Sequence, residues 1–262
     1  MPFPDSPRVI YKTNPLEEVI CQLKFPPILR IESEPPAGFQ DQLSGDYPIL
    51  EDSPVAQLNL PPVLARLLGG DLSPVPQSRD YRFSSADGVW KVVLNREFIA
   101  LSTSKYTRWD DFVARLEKAL LALTSQYKSP SFFLRVGLRY RDVIRRSDFG
   151  NPDEHWANLL KPHILGELSD EGAEPNVLQA VRQTLIALPE GSGQVRLFHG
   201  LTAAAQGSET CYSIDSDFFT ESRTEAKDVF TVLKVFNRQA GRLFHWCITE
   251  RLHNALGPEV VT

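Results

Sequence analysis

The chain has 262 residues, 42% of them hydrophobic and 10% aromatic, which suits one large core or two intimate halves better than two separate globules. With 28 Lys and Arg against 33 Asp and Glu, the formal charge of -5 excludes the cationic excess that a protein coating nucleic acid needs. No stretch approaches the roughly 18 consecutive apolar residues of a membrane span, and Met1-Pro-Phe-Pro-Asp-Ser-Pro-Arg8 lacks a signal peptide's basic start, so a soluble cytoplasmic protein is expected. Cys21, Cys211 and Cys247 lie far apart inside apolar segments and read as buried free thiols of a reducing compartment.

Along the chain, Val19, Cys21, Leu23 and Phe25 recur at period two, and Pro26-Pro27 ends that strand. A short helix is expected near residues 38–43. Residues 48–77, rich in proline around the apolar patch 63–68, read as an irregular connection holding at most one or two helical turns. Three strands follow at 81–85, 89–94 and 98–103, separated by Ala86-Asp87-Gly88 and Asn95-Arg96-Glu97, the punctuation of an antiparallel meander. Phe112, Leu116, Ala119, Leu123 and Tyr127 then form one helical stripe that Ser129-Pro130 ends.

The second half begins the same way: Leu134, Val136, Leu138 and Tyr140 alternate with Arg135, Gly137, Arg139 and Arg141. A helix is expected at 154–165. Residues 176–181 have helical composition, and 184–188 suit a strand. Paired strands at 195–201 and 211–219 precede a stripe of Val229, Leu233, Phe236, Ala240, Leu243 and Cys247, on a helix expected to run over 224–256, on the order of 45 Å. Gly257-Pro258 terminates it.

Strand, connection with a short helix, three strands and a striped helix thus occur twice. The expected fold is α+β: two pseudo-repeated β-α-β-β-β-α units, 1–130 and 131–262, each with an antiparallel sheet packed by a long helix, the two joining edge to edge into one continuous curved sheet. The clearest echo between them is Asp111-Phe-Val-Ala-Arg-Leu116 against Asp228-Val-Phe-Thr-Val-Leu233.

Asn14-Pro-Leu-Glu-Glu-Val-Ile-Cys-Gln-Leu-Lys-Phe25, Tyr106-Thr-Arg-Trp-Asp-Asp-Phe112, Val136-Gly-Leu-Arg-Tyr140 and the ending around Leu243-Phe244 and Thr249-Glu-Arg-Leu252 occur in order over nearly the whole chain. Together they resemble a sporadically distributed bacterial family of uncharacterised proteins. The resemblance implies a cytosolic bacterial protein with no established activity, and an accessory role in a defence or mobile-element system. The family's Gly-Leu-Arg-Tyr block usually continues to an Asn two residues on, where this chain has Asp142.

The sharpest candidate site is the strand face of Arg135, Arg139 and Arg141, with Arg145 and Arg146 beyond. Side chains two apart on a strand share a face at about 6.6 Å, so Arg139 and Arg141 suit a bidentate clamp on an anion. Asp215 and Asp217 also share one face, which offers the competing reading of an internal Arg and Asp network. The same two carboxylates would serve a hard cation, but nothing nearby completes its shell. His155, His163, His199, His245 and His253 show no metal-ligand spacing, and there is no Cys-x-x-Cys, Gly-x-Gly-x-x-Gly, Walker-type or Gly-x-Ser-x-Gly motif. No metal, cofactor or catalytic residue is therefore expected.

The reading leans away from an enzyme and toward a binding or interaction protein with a protein partner or a second copy of itself. The alternative is a sensor or enzyme holding a small anionic or nucleotide-like ligand between helix and sheet. Nucleic acid is the least favoured partner.

Overall fold

A computed structural model of the chain describes residues 2–53, 79–127, 130–203 and 209–260. After β1 (Val9–Tyr11), strand β2 (Leu16–Lys24) buries Val19, Cys21 and Leu23 and leaves their neighbours partly exposed, as a sheet with one wet face requires. Two short helices, α1 (Leu29–Ser33) and α2 (Ala37–Leu43), lead to β3 (Ile49–Ser53). This strand lies where the sequence suggests an irregular connection, and the apolar patch 63–68 falls outside the described residues. The meander β4 (Asp80–Ser84), β5 (Trp90–Leu94) and β6 (Phe98–Thr103) turns first at Gly88, whose φ of 70° favours glycine. At the second turn Asn95 Oδ1 accepts from the amides of Glu97 and Phe98, both at 2.8 Å. Helix α3 (Trp109–Gln126) buries Phe112, Leu116, Ala119 and Leu123 along one stripe.

The second half contains β7 (Phe132–Phe133), β8 (Arg135–Ile144), α4 (Trp156–Leu159), α5 (Pro162–Leu165), β9 (Val181–Ala187), β10 (Gln194–Ala203), β11 (Thr210–Thr220) and β12 (Thr224–Glu225). It ends with α6 (Val229–Cys247), α7 (Glu250–Ala255) and β13 (Pro258–Val260), which pairs with β1. Three expectations change here. The helix expected at 154–165 is two single turns, separated where Leu160 forms an isolated bridge with Ile248. That bridge also divides the helix expected over 224–256, since Ile248 is extended and Thr249 caps α7 by accepting from the Leu252 amide. Residues 176–181 form no α-helix, and Val181 already begins β9.

Nine strands form one antiparallel sheet in the order β3-β4-β5-β6-β2-β8-β11-β10-β9, so the fold is mixed α and β around a single continuous sheet. The two halves meet where β2 pairs with β8, Cys21 opposite Leu138. Aromatic contacts put the helices on one face: Phe39 of α2 on Phe83, Phe112 of α3 on Trp90, and Phe236 of α6 on Phe218. Each such buried side chain contributes about 1.5–3 kcal/mol of transfer free energy, so burial on this covered face holds the helices to the sheet. The opposite face carries Arg135, Arg139 and Arg141 of β8 and Asp215 and Asp217 of β11.

Candidate functional site

Parity along β8 decides where each candidate residue points. Val136, Leu138, Tyr140, Asp142 and Ile144 are buried on the covered face, which turns Arg135, Gly137, Arg139 and Arg141 to the open one. Along β11, Tyr212, Ile214, Ser216 and Phe218 are buried, and Asp215 and Asp217 look outward beside the arginines.

Register sets Arg141 opposite Asp215 and Arg139 opposite Asp217, yet the ion pairs run diagonally. Arg139 Nε donates to Asp215 Oδ1 at 2.7 Å, and its Nη2 contacts the second carboxylate oxygen. Arg135 Nη2 donates to both oxygens of Asp217, at 2.8 and 3.1 Å, while its Nη1 donates to Gln22 Oε1 at 3.3 Å. Asp215 is the diagonal neighbour of Arg139, and such neighbours lie about 7–8 Å apart, within reach of a guanidinium; Asp217 instead faces Arg139, four residues along the strand from Arg135. To take this path Arg135 folds across Gly137, where any Cβ would strike its guanidinium, and it stacks over Phe219 at 4.9 Å. Arg196 of β10 approaches the same ring at 5.2 Å and Asp217 at 3.9 Å.

The remaining arginines also have carboxylates. A bulge in the pairing of β2 with β8, between Leu16 and Glu18, re-aims Glu17. Glu17 then lies 3.6 Å from Arg141 and also pairs with Arg145. Arg146 leaves this face, stacking over Trp156 at 4.7 Å and meeting Glu174 at 3.4 Å. The electrostatics follow the pairing: the hydrogen bond to Asp215 raises the Arg139 pKa, and that to Glu17 raises the Arg145 pKa. Burial outweighs Arg135 at Asp217 and holds its carboxyl above the usual range.

Every residue of the expected site is therefore on one face, and each of the five is paired with an opposite charge of the same sheet. Among the described residues no group of three or more His, Cys, Asp or Glu could hold a metal ion. A cavity of about 300 Å³ opens elsewhere, between α3 and the start of α6, with apolar walls that include Leu120, Leu123, Phe133 and Phe230. The three cysteines are free and buried.

One group on the covered face stands apart. Asp142 is 8% exposed, opposite Leu16 and Ile214, with no hydrogen bond or ion pair among the described residues. Burial, then the like charge of Asp215, pushes its carboxyl up to about 8, so it is mostly protonated at neutral pH. Nearby, burial raises the pKa of Tyr11 and of Cys247; the Tyr11 hydroxyl is hydrogen-bonded to His253 Nδ1 at 2.8 Å, and the His245 ring lies 5.0 Å from that of His253. His199 is buried on the same face and hydrogen-bonded to the Tyr212 hydroxyl at 2.8 Å, and burial lowers its pKa to about 4.

Glu17, Gln22 and Arg196 escape the sequence reading because only register brings them to the arginines. Asp142 does not require register: it continues the alternation of Val136, Leu138 and Tyr140, which marks it as inward-facing. Compared with family models and with curated proteins, the chain matches none.

Proposed function

We propose that the protein is a non-enzymatic binding protein that engages a protein partner across the open face of its sheet. The observation that carries this reading is the buttressed arginine array. Arg139, Arg141 and Arg196 keep 42%, 40% and 48% of their side chains exposed, yet each stands beside a carboxylate of the same sheet. Charges neutralised from below offer little net field to a small anion. Fixed guanidinium planes lose little rotamer entropy on docking, and arginine is among the side chains that dominate protein interfaces. The alternative ligand site between helix and sheet draws no support from Arg139 and Arg141, which lie on the face away from the helices.

The same reading includes an internal duplication. Its support is the strand order, β2-β6-β5-β4 outward from the centre in one direction and β8-β11-β10-β9 in the other, and within this sheet, among the described residues, β3 has no counterpart. The resemblance to the sporadically distributed bacterial family fits a binding role accessory to a defence or mobile-element system. At the position where that family usually has Asn, a protonated Asp142 presents a neutral group of the same shape.

The test is affinity capture from the source cells with the wild-type chain and with an Arg141→Ser/Arg196→Ser variant. A stoichiometric protein partner kept by the wild type and lost by the variant, at an unchanged melting temperature, is expected. Absence of any stoichiometric partner, or capture indifferent to the two substitutions, refutes the open-face assignment.

A further inference from the structure

The two ends of the nine-stranded sheet are finished differently. At one end β4 has its outer edge covered by β3, through five antiparallel residue pairs from Ile49 with Ser84 to Ser53 with Asp80. At the other end β9 occupies the position equivalent to β4 in strand order, and among the described residues nothing pairs with its outer edge. The seven residues Val-Arg-Gln-Thr-Leu-Ile-Ala of β9 contain no Lys, no Pro and no bulge, the devices that commonly blunt a free edge. Six of the seven are exposed, including Val181 at 41% and Leu185 at 56%.

The backbone polarity of this edge is fixed by its neighbour. Leu188 donates its amide to Gly193 at 2.9 Å and Leu201 donates to Ala180 at 2.8 Å, so the even-numbered residues of β9 bond to β10. In an antiparallel ladder the alternate residues then point their N–H and C=O groups outward. Val181, Gln183, Leu185 and Ala187 therefore present an unpaired row of donors and acceptors, and their side chains lie on the open face.

We propose that two copies of the chain pair through β9, antiparallel about a two-fold axis at Thr184, continuing the sheet across a homodimer. An isologous contact requires a strand that complements itself, and β9 does so in this register. Val181 meets the partner copy's alanine, and Gln183 meets its leucine. Each of these pairs joins two outward-pointing residues, so every free amide and carbonyl between Val181 and Ala187 gains a partner. The single charge of the strand, Arg182, falls opposite isoleucine instead of its own copy, which avoids like-charge repulsion. Thr184 meets threonine, a favourable cross-strand pair. Leu185 and Val181 leave water together on the open side.

Sedimentation velocity over a dilution series tests this with the full chain. The wild type is expected to shift from monomer to dimer as concentration rises. Leu185→Pro removes an outward amide that the monomer does not use, so loss of the dimer with the melting temperature nearly retained is expected. A charge pair fixes the register: Gln183→Lys/Leu185→Lys sets lysine against lysine across the axis and should abolish the dimer. Gln183→Lys/Leu185→Glu sets lysine against glutamate and should restore it. A wild type that stays monomeric at every concentration overturns the proposal, as does a dimer indifferent to Leu185→Pro and to the lysine pair. The open-face reading is judged separately, because these variants leave Arg141 and Arg196 in place.

Discussion

Neighbouring residues of one strand, Arg141 and Asp142, show how the two faces of the sheet treat charge. On the open face Arg141 is well hydrated, stands next to Glu17, and belongs to a row in which each arginine has its carboxylate. On the covered face Asp142 is buried, among the described residues without a partner, and held largely neutral by its surroundings. Exposed pairs of the first kind stabilise by no more than about 1 kcal/mol each. A lone buried carboxyl works against folding whenever it must ionise. The arginine row thus gives the sheet a defined surface, and the covered face supplies its stability despite the buried Asp142 carboxyl.

That contrast can be broken from either side. The largest effect is expected from Phe236→Ala, which empties a fully buried position against Phe218; a loss of about 3–5 kcal/mol should appear in urea unfolding. Asp142→Asn is expected to act in the opposite direction. The folded carboxyl titrates near 8 and the unfolded one at 3.8, so the folded state binds the extra proton between those values. Wild-type stability from this group is therefore full below about pH 4 and falls as pH rises through 8, by up to about 1.4 kcal/mol per unit. The Asn variant should flatten that slope, with its greatest gain in melting temperature at and above pH 8. A wild-type stability independent of pH across that window would show that Asp142 finds a partner.

Smaller effects separate the arginines. Arg139→Ala leaves the mostly buried Asp215 without its hydrogen bonds, and a loss of about 1 kcal/mol is expected, discounted for the exposure of Arg139. Arg141→Ala, with a contact of 3.6 Å to Glu17 and a half-exposed side chain, should change stability by less than about 0.5 kcal/mol.

Period-two and helical stripes were enough to read β2, the meander, β8, β10, β11 and both long helices from the residues alone, because each buries one face against a common core. The failures have physical causes. β3 is an edge strand of mixed polarity, Ile-Leu-Glu-Asp-Ser, bounded by Pro48 and Pro54, so no alternation announces it. Of β9 only the part within 184–188 is expected as strand from the residues, and its start at Val181 is not, because the strand is exposed on both faces and lacks an amphipathic signal. The break between α6 and α7 is hidden because Leu252 and Leu256 carry the apolar stripe onward, while the bridge from Leu160 that interrupts it is tertiary. At the candidate site, the shared faces of Arg139 and Arg141 and of Asp215 and Asp217 were visible as two-residue spacings. Which arginine meets which carboxylate depends on side-chain reach, the gap left by Gly137 and the bulge at Glu17, none of which a single strand reveals.

The central claim is that the arginines of the open face are already neutralised within the sheet. A double-mutant cycle on Arg139→Ala and Asp215→Ala, read by urea unfolding with and without pyrophosphate, tests it most directly. The account predicts a favourable coupling of about 1 kcal/mol and no pyrophosphate-dependent stabilisation of the wild type. A coupling near zero, together with pyrophosphate stabilisation that disappears in Arg139→Ala, would contradict it and make the face an anion site.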